Sequence, residues 1–291
     1  MGLIGNVFLA VALGVTNHML SPLAFLQRPV RWLQAIGRYQ ARASGGPNFA
    51  YEECVTRVAE EDLAKLDLGA WEFALNGAEP VRAATLERFC QRFGRVGFSP
   101  RAFLPCYGLA ENTLWVTGRR AGEGAEHLSF DARVLAQQRR LELASGSAES
   151  LAMVSCGPPG AGVMVRVVDP QHGREVEDSS VGEIWVSGDS VAQGYWQQPE
   201  ATRQAFEAEL AGSARRWLRT GDLGAIWAGE LVVCGRLKEL LIVRGRNYYP
   251  VDVEQAAQDA DARFLRGAGV AGSLGQEGTE RVCLVQELTR D

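Results

Sequence analysis

Apolar positions along this chain change their period several times, and each change marks an element. Residues 1–15 are almost wholly apolar, but glycine and asparagine interrupt them, no basic residue precedes them, and Asn17-His18 follows before the roughly 20 residues that a membrane span needs. This opening reads as a buried helix or strand, with no membrane span. Ser21-Pro22 ends it, and Pro29 suits the first turn of a helix carrying Trp32, Leu33, Ile36 and Tyr39 on one face. A turn-rich loop over residues 44–50 leads into a helix near Tyr51. Residues 71–75 predict a short strand, residues 76–80 a loop, and Leu86, Phe89, Cys90 and Phe93 recur at helical spacing behind Pro80. Residues 104–113 repeat the pattern as a second strand-end loop.

Residues 117–155 break it. They are polar, with 128–130 and Val134-Leu135 as the apolar anchors, and predict a surface excursion. From Gly157 the pattern is that of β-structure: strands over 163–168 and 182–187, with turns at Asp169-Pro170 and His172-Gly173. A helix starts at Glu200. Strands over 230–234 and 237–243 meet at Gly235-Arg236, which reads as a joint between two bodies. A helix over 252–260 carries Asp252 and Glu254 in its first turn, where the helix dipole favours acids. Two short strands follow, over 267–271 and 282–286.

Composition narrows the class. At 291 residues the chain suits one large domain or two smaller ones, and 46% apolar residues, 22% charged residues and 33 glycines describe an α/β protein. A formal net charge of −5 argues against a nucleic-acid surface. The six cysteines have neither CxxC nor metal-ligand spacing, so they read as reduced core thiols of a cytoplasmic protein. His127 and His172 read as surface residues, and Arg215-Arg216 as part of a solvated face.

Candidate chemistry gathers at the strand ends. In the turn Thr220-Gly221-Asp222 a carboxylate at the lip of a strand can accept two hydrogen bonds from a vicinal diol such as ribose, and Arg236, fourteen positions on, can supply matching donors. Gly77, Ala78 and Glu79 follow a strand whose carboxyl end is where parallel sheets collect ligands; small residues there would admit a flat base, or simply make a turn. Tyr107 offers an aromatic face, Gly108 close approach, and Glu111 a hard oxygen ligand for Mg²⁺ beside phosphate. Gly45 and Gly46 let backbone approach a ligand, with Phe49 and Tyr51 walling an apolar tunnel, or form a connector.

Taken together, NGAEP, YGLAE, RTGDL and GRLKELLIVRGRNYYPVDVE, in this order, resemble the adenylate-forming superfamily of acyl-CoA synthetases, peptide synthetase adenylation domains and luciferases. The GRNYYP segment is closest to the fatty acyl-AMP ligase branch. The resemblance implies part of a large αβ/β-barrel domain over 1–236, a branch-type insertion near 117–155, and the start of a small α+β domain over 237–291. It implies ATP/AMP and Mg²⁺ as cofactors, with Gly77, Ala78, Glu79, Tyr107, Gly108, Leu109, Ala110, Asp222 and Arg236 around the nucleotide. Glu111 would hold the metal, Lys238 would lie at a hinge, and Gly45, Gly46 and Phe49 would border the acyl group. The implied reaction joins a fatty acid to AMP and passes the acyl group to an acyl carrier protein or a polyketide or peptide synthetase carrier domain. Residues 182–206 also resemble a family signature, with Tyr195 and Trp196 as packing residues.

The superfamily's Ser/Thr/Gly-rich phosphate loop and its late lysine loop have no counterpart in these residues. Preplaced cations and N–H dipoles stabilise charge on the reacting phosphorus, and one such donor is worth roughly 10²–10³ in rate. The chain alone is therefore expected to be nearly inactive, as part of a longer or split enzyme. The alternatives are a piece of an acyl-CoA synthetase and a non-catalytic remnant that binds a carrier protein or nucleotide.

Overall fold

The computed structural model describes residues 2–145, 149–243, 246–276 and 279–289. A π-helical stretch, Gly2–Phe8, runs into α1 (Leu9–Leu13), and α2 (Pro22–Gln27) and α3 (Val30–Tyr39) follow. Then β1 (Ala43–Gly46), α4 (Asn48–Arg57), α5 (Glu60–Leu63), β2 (Phe73–Asn76), α6 (Ala83–Phe93) and β3 (Phe103–Gly108) make two strand-helix-strand crossovers. The three strands are parallel, and β4 (Trp115–Gly118) pairs antiparallel with β3, giving the order β1-β2-β3-β4.

Helical spacing explains the core under this sheet. Leu86, Phe89 and Phe93 fall on one face of α6 and are buried with Tyr51, Trp71 and Phe103. Trp71 and Phe98 meet edge to face at 5.2 Å, and Phe89 and Phe93 lie 4.4 Å apart. Such pairs add to the large area that each ring removes from water.

Next, β5 (His127–Asp131), α7 (Ala132–Gln138) and β6 (Ser150–Val154) form a hairpin bridged by a helix, which Asp131 caps by accepting from the Arg133 and Val134 amides. A second sheet is antiparallel: β7 (Val163–Val168), β8 (Gly182–Gly188), then α8 (Pro199–Phe206), β9 (Ala208–Glu209), β10 (Arg216–Trp227) and β11 (Glu230–Arg236). Its order is β11-β10-β8-β7, with β9 also on β10. Past a 3-10 turn, Leu237–Glu239, come the hairpin β12 (Leu241–Val243) and β13 (Arg246–Tyr248), helix α9 (Pro250–Ala260), and the hairpin β14 (Phe264–Gln276) and β15 (Thr279–Leu288). Arg82, just before α6, donates to Gln255 at 2.9 Å and lies 3.7 Å from Glu254, tying α9 back to the first sheet.

Several expectations change. The apolar opening is helical but not buried: no residue of Gly2–Phe8 or α1 is buried, because periodicity makes the helix while burial needs a facing surface that the described residues do not provide. Residues 117–155 are more than a surface excursion, since Phe130, Leu135 and Leu141 are fully buried against Leu223, Ala225 and Val232. The glycines at 45–46 lie in a strand, not a loop. Trp196 is 86% exposed and so does not serve as the packing residue expected, whereas Tyr195 meets Phe206 at 5.1 Å. The last two strands run longer than their apolar cores suggest because backbone pairing continues past them. In the GRNYYP segment Gly245 lies outside the described residues, as do residues 146–148 of the polar stretch. All six cysteines are free thiols, and burial pushes those of Cys106, Cys156 and Cys234 up to about 12. Among the described residues no helix is long and apolar enough to cross a membrane.

Candidate functional site

Because β1, β2 and β3 run parallel, their carboxyl ends share one edge of the sheet. Gly46, Asn76 and Pro105 are in register there. Close backbone contact explains the glycines. A Cβ on Gly45 would sit 2.5 Å from the Leu75 carbonyl oxygen, one on Gly77 2.6 Å from that of Cys106, and one on Gly108 1.8 Å from that of Leu114. Gly45 thus serves the neighbouring strand directly. Ala78 holds a φ of +71°, which side chains disfavour. Glu79 accepts from the Phe49 amide at 2.5 Å, where the first turn of α4 leaves N–H groups without helical partners. The Phe49 ring is exposed and meets Phe25 edge to face at 6.5 Å. Tyr51 does not border this edge; it is fully buried and donates to the Leu75 carbonyl at 2.7 Å. Asn76 is fully buried just before Gly77, and among the described residues neither of its side-chain amide atoms has a partner.

At Tyr107 the two sheets meet. Its hydroxyl donates to Asp222 Oδ2 at 2.7 Å, while Arg236 Nε donates to Asp222 Oδ1 at 3.1 Å. Asp222 and Arg236 are cross-strand partners on β10 and β11, so the sheet itself sets their separation. Asp222 is 9% exposed whereas the Arg236 side chain is 66% exposed. Each carboxylate oxygen has one donor and the capacity for another, which suits a diol. Burial, reinforced by Asp222, raises the Tyr107 hydroxyl's pKa, so it stays a donor. The Tyr107 ring, however, packs with Val116, Val165 and Val186. It presents its hydroxyl to the site, not an open aromatic face, because β4 and the second sheet together cover it.

Behind β3, Leu109 packs half-buried on the same cluster and Ala110 is exposed. Glu111 is half-buried and accepts from the Tyr195 hydroxyl through Oε1 at 2.9 Å. Its turn is fastened to the loop after β8: the Ala192 amide donates to the Glu111 carbonyl and the Thr113 hydroxyl to the Ser190 carbonyl, both at 2.7 Å. Among the described residues no three His, Cys, Asp or Glu side chains converge. A magnesium ion needs only one or two carboxylates when waters and phosphate oxygens complete its shell, so Glu111 fits that requirement. Lys238 is exposed in the turn directly beyond Arg236.

The structure therefore brings Tyr107, Asp222 and Arg236 into direct contact, and joins Glu79 to Phe49. It places Gly77 against Cys106, next to Tyr107, with Glu111 one turn further on. Sequence reasoning missed two roles, that of Tyr195, expected only to pack, and that of Glu183, not singled out at all. Tyr195 reaches Glu111, and Glu183 is a carboxylate only 2% exposed beside the Asp222 turn. A lone acid in an apolar strand, GEIWVSG, was the available signal for Glu183.

The profile of the AMP-binding enzyme family matches residues 1–196. The medium-chain-fatty-acid–[acyl-carrier-protein] ligase JamA of Moorena producens (strain JHB) is 42% identical over 292 residues, covering 99% of this chain and 49% of JamA. The 4-hydroxyphenylalkanoate adenylyltransferase of Mycobacterium tuberculosis (strain ATCC 25618 / H37Rv) is 41% identical over 295 residues, covering 100% of this chain and 47% of its own. Of solved structures, one from a study of fatty acyl-adenylate ligases from E. coli and L. pneumophila superimposes with a TM-score of 0.91 at 33% identity, over 100% of this chain and 51% of that one. The L. pneumophila fatty acyl-adenylate ligase in complex with acyl adenylate and pyrophosphate gives 0.80 at 42% identity, over 100% and 51%. The chain spans about half the length of the curated relatives it matches.

Proposed function

This chain belongs to the AMP-binding enzyme family, and from that premise we propose that it supplies the ribose- and base-binding side of a fatty acyl-AMP ligase. In the proposed reaction an oxygen of a fatty carboxylate attacks the α-phosphorus of ATP, the bond to the β-phosphate breaks, and acyl-AMP and pyrophosphate leave. A carrier-protein thiol then takes the acyl group and releases AMP. The observation that carries this reading is the convergence of Tyr107, Asp222 and Arg236, from two sheets, on one carboxylate.

Asp222 would accept the ribose hydroxyls, with Arg236 and Tyr107 holding its oxygens in place. Gly77, Ala78, Glu79 and Gly108 would border adenine, with Leu109 and Ala110 lining the turn that follows. Gly45, Gly46 and Phe49 would lie toward the acyl chain. Glu111 would hold Mg²⁺, whose charge would stabilise the phosphates, and Tyr195 fixes one oxygen of that carboxylate. Residues 1–236 and 237–291 form the proposed parts of the large and small domains, with Lys238 at the hinge between them. Likeness to a ligase named for an acyl carrier protein supports a carrier thiol, rather than CoA, as acceptor.

The test is ATP–pyrophosphate exchange with medium-chain fatty acids, measured on the intact protein that carries this chain. Asp222→Ala removes charge-assisted hydrogen bonds to the ribose and lowers exchange about ten- to a hundredfold. Unchanged exchange would sink the reading.

A further inference from the structure

Resting on that nucleotide reading, we propose that Glu183 is a positioning residue: its buried carboxylate clamps a bulge in β10 and so aims Asp222 at the ribose.

Strand register shows the bulge. Arg219 pairs with Trp185 and Leu223 with Glu183, so β10 advances four residues while β8 advances two. Thr220, Gly221 and Asp222 are thereby looped out of the ladder. On the opposite edge Asp222 still pairs with Arg236, and the register shifts again after Leu223. Looped-out backbone loses its ladder partners and must find others. Here the partners come from side chains. Glu183 Oε1 accepts from the Gly221 amide at 3.2 Å, the Thr220 hydroxyl donates to the Ile184 carbonyl at 2.7 Å, and the same hydroxyl accepts from the Asp222 amide at 3.1 Å. Gly221 has a φ of +73° and open space where a Cβ would be, so glycine is required by conformation, not by crowding.

The other oxygen of Glu183 is fully occupied. Oε2 accepts from Arg219 Nε at 3.0 Å, Arg219 Nη2 at 2.9 Å and Trp185 Nε1 at 2.9 Å. The guanidinium stacks over the Trp185 ring at 5.6 Å, which fixes its plane. A division of labour follows: one oxygen is neutralised by Arg219, and the other is left to hold the bulge amide next to Asp222. Burying a carboxylate is unfavourable unless its partners are this complete, and a strand that served packing alone would do as well with an apolar residue. Among the described residues Glu183 forms no hydrogen bond with Tyr107 or Arg236; it acts on Asp222 through the neighbouring Gly221 amide.

The test titrates adenosine and 2′,3′-dideoxyadenosine into the intact protein that carries this chain and into its Glu183→Gln variant, read by calorimetry or ligand-observed NMR. Glutamine keeps the size but loses the charge that Arg219 requires. If Glu183 aims Asp222, adenosine binding weakens about ten- to a hundredfold toward the dideoxy value. The dideoxy ligand, which has no diol to lose, stays within about twofold. Equal weakening of both ligands, or weakening of neither, overturns the clamp. Wild-type protein that ignores the diol overturns the nucleotide reading itself, so the two failures are separate results. If circular dichroism shows that Glu183→Gln does not fold, Thr220→Val, which removes the hydroxyl's two bulge contacts, is titrated with the same pair and judged by the same criterion.

Discussion

The two sides of the site are held by opposite means. At the ends of β2 and β3 side chains are nearly absent: Gly77 and Gly108 let one strand's backbone press on its neighbour, and carbonyl oxygens stand where any Cβ would go. In β10 the backbone is looped out, and side chains hold it: Glu183, Thr220, Tyr107 and Arg236 all bear on the segment that ends in Asp222. The first side should break with added volume and ignore charge. The second should break with altered charge and tolerate volume.

Gly108→Ala is the sharpest test of the first side. No rotamer can move the Leu114 carbonyl away from a Cβ at 1.8 Å, so overpacking should destabilise by about 3 kcal/mol or more, read as a lower urea midpoint at unchanged m-value. A carboxylate on neither side calibrates the second. Asp252 is half-buried in the first turn of α9, and its partial burial, opposed by Arg82, raises its pKa to about 6. A raised folded-state acid binds its proton more tightly than the unfolded chain, so the contribution of Asp252 to stability is greatest below about pH 4 and is lost as pH rises to about 6. Asp252→Asn should remove that loss, raising stability at pH 7.5 by roughly 1–3 kcal/mol while changing little at pH 4. Urea titrations at the two pH values check it.

Asp222→Ala leaves the buried Tyr107 hydroxyl without an acceptor and should destabilise by about 1–3 kcal/mol at no change in volume elsewhere. Arg236→Ala should have the smallest effect on folding, within about 1 kcal/mol, since its ion pair with Asp222 is largely solvated on the arginine side. The same change should still weaken adenosine binding. A large folding loss for Arg236→Ala, or none for Gly108→Ala, would erase the contrast.

Much of this was legible in the sequence. Helical spacing located α3 and α6, β-branched runs located β7 and β8, and the RTGDL and GR segments pointed to an acid and a guanidinium that the sheet indeed pairs. What stayed hidden depends on partners distant in sequence. A run such as residues 1–15 announces a regular element, helix or strand, but not whether any surface faces it. Tyr107 looked like a stacking platform because much of what covers its ring comes from the second sheet, more than fifty residues on. Glu183 alternates with Ile184 in a pattern that suggests a solvent-facing acid, and it becomes a buried clamp only when Arg219 arrives from the neighbouring strand. Glycine was equally ambiguous: Gly45 signals close approach, yet what approaches is Leu75 of the next strand.

Arg236 is the last residue of β11, and the chain leaves the sheet at Leu237. The residue that steadies Asp222 is therefore also the point from which the following segment departs, including the α9 helix that Arg82 ties back to the first sheet. Arg82 closely follows Glu79, so that tether meets the chain beside one side of the candidate site, while the covalent link at Arg236 leaves from the other, and the trailing segment is fastened to both.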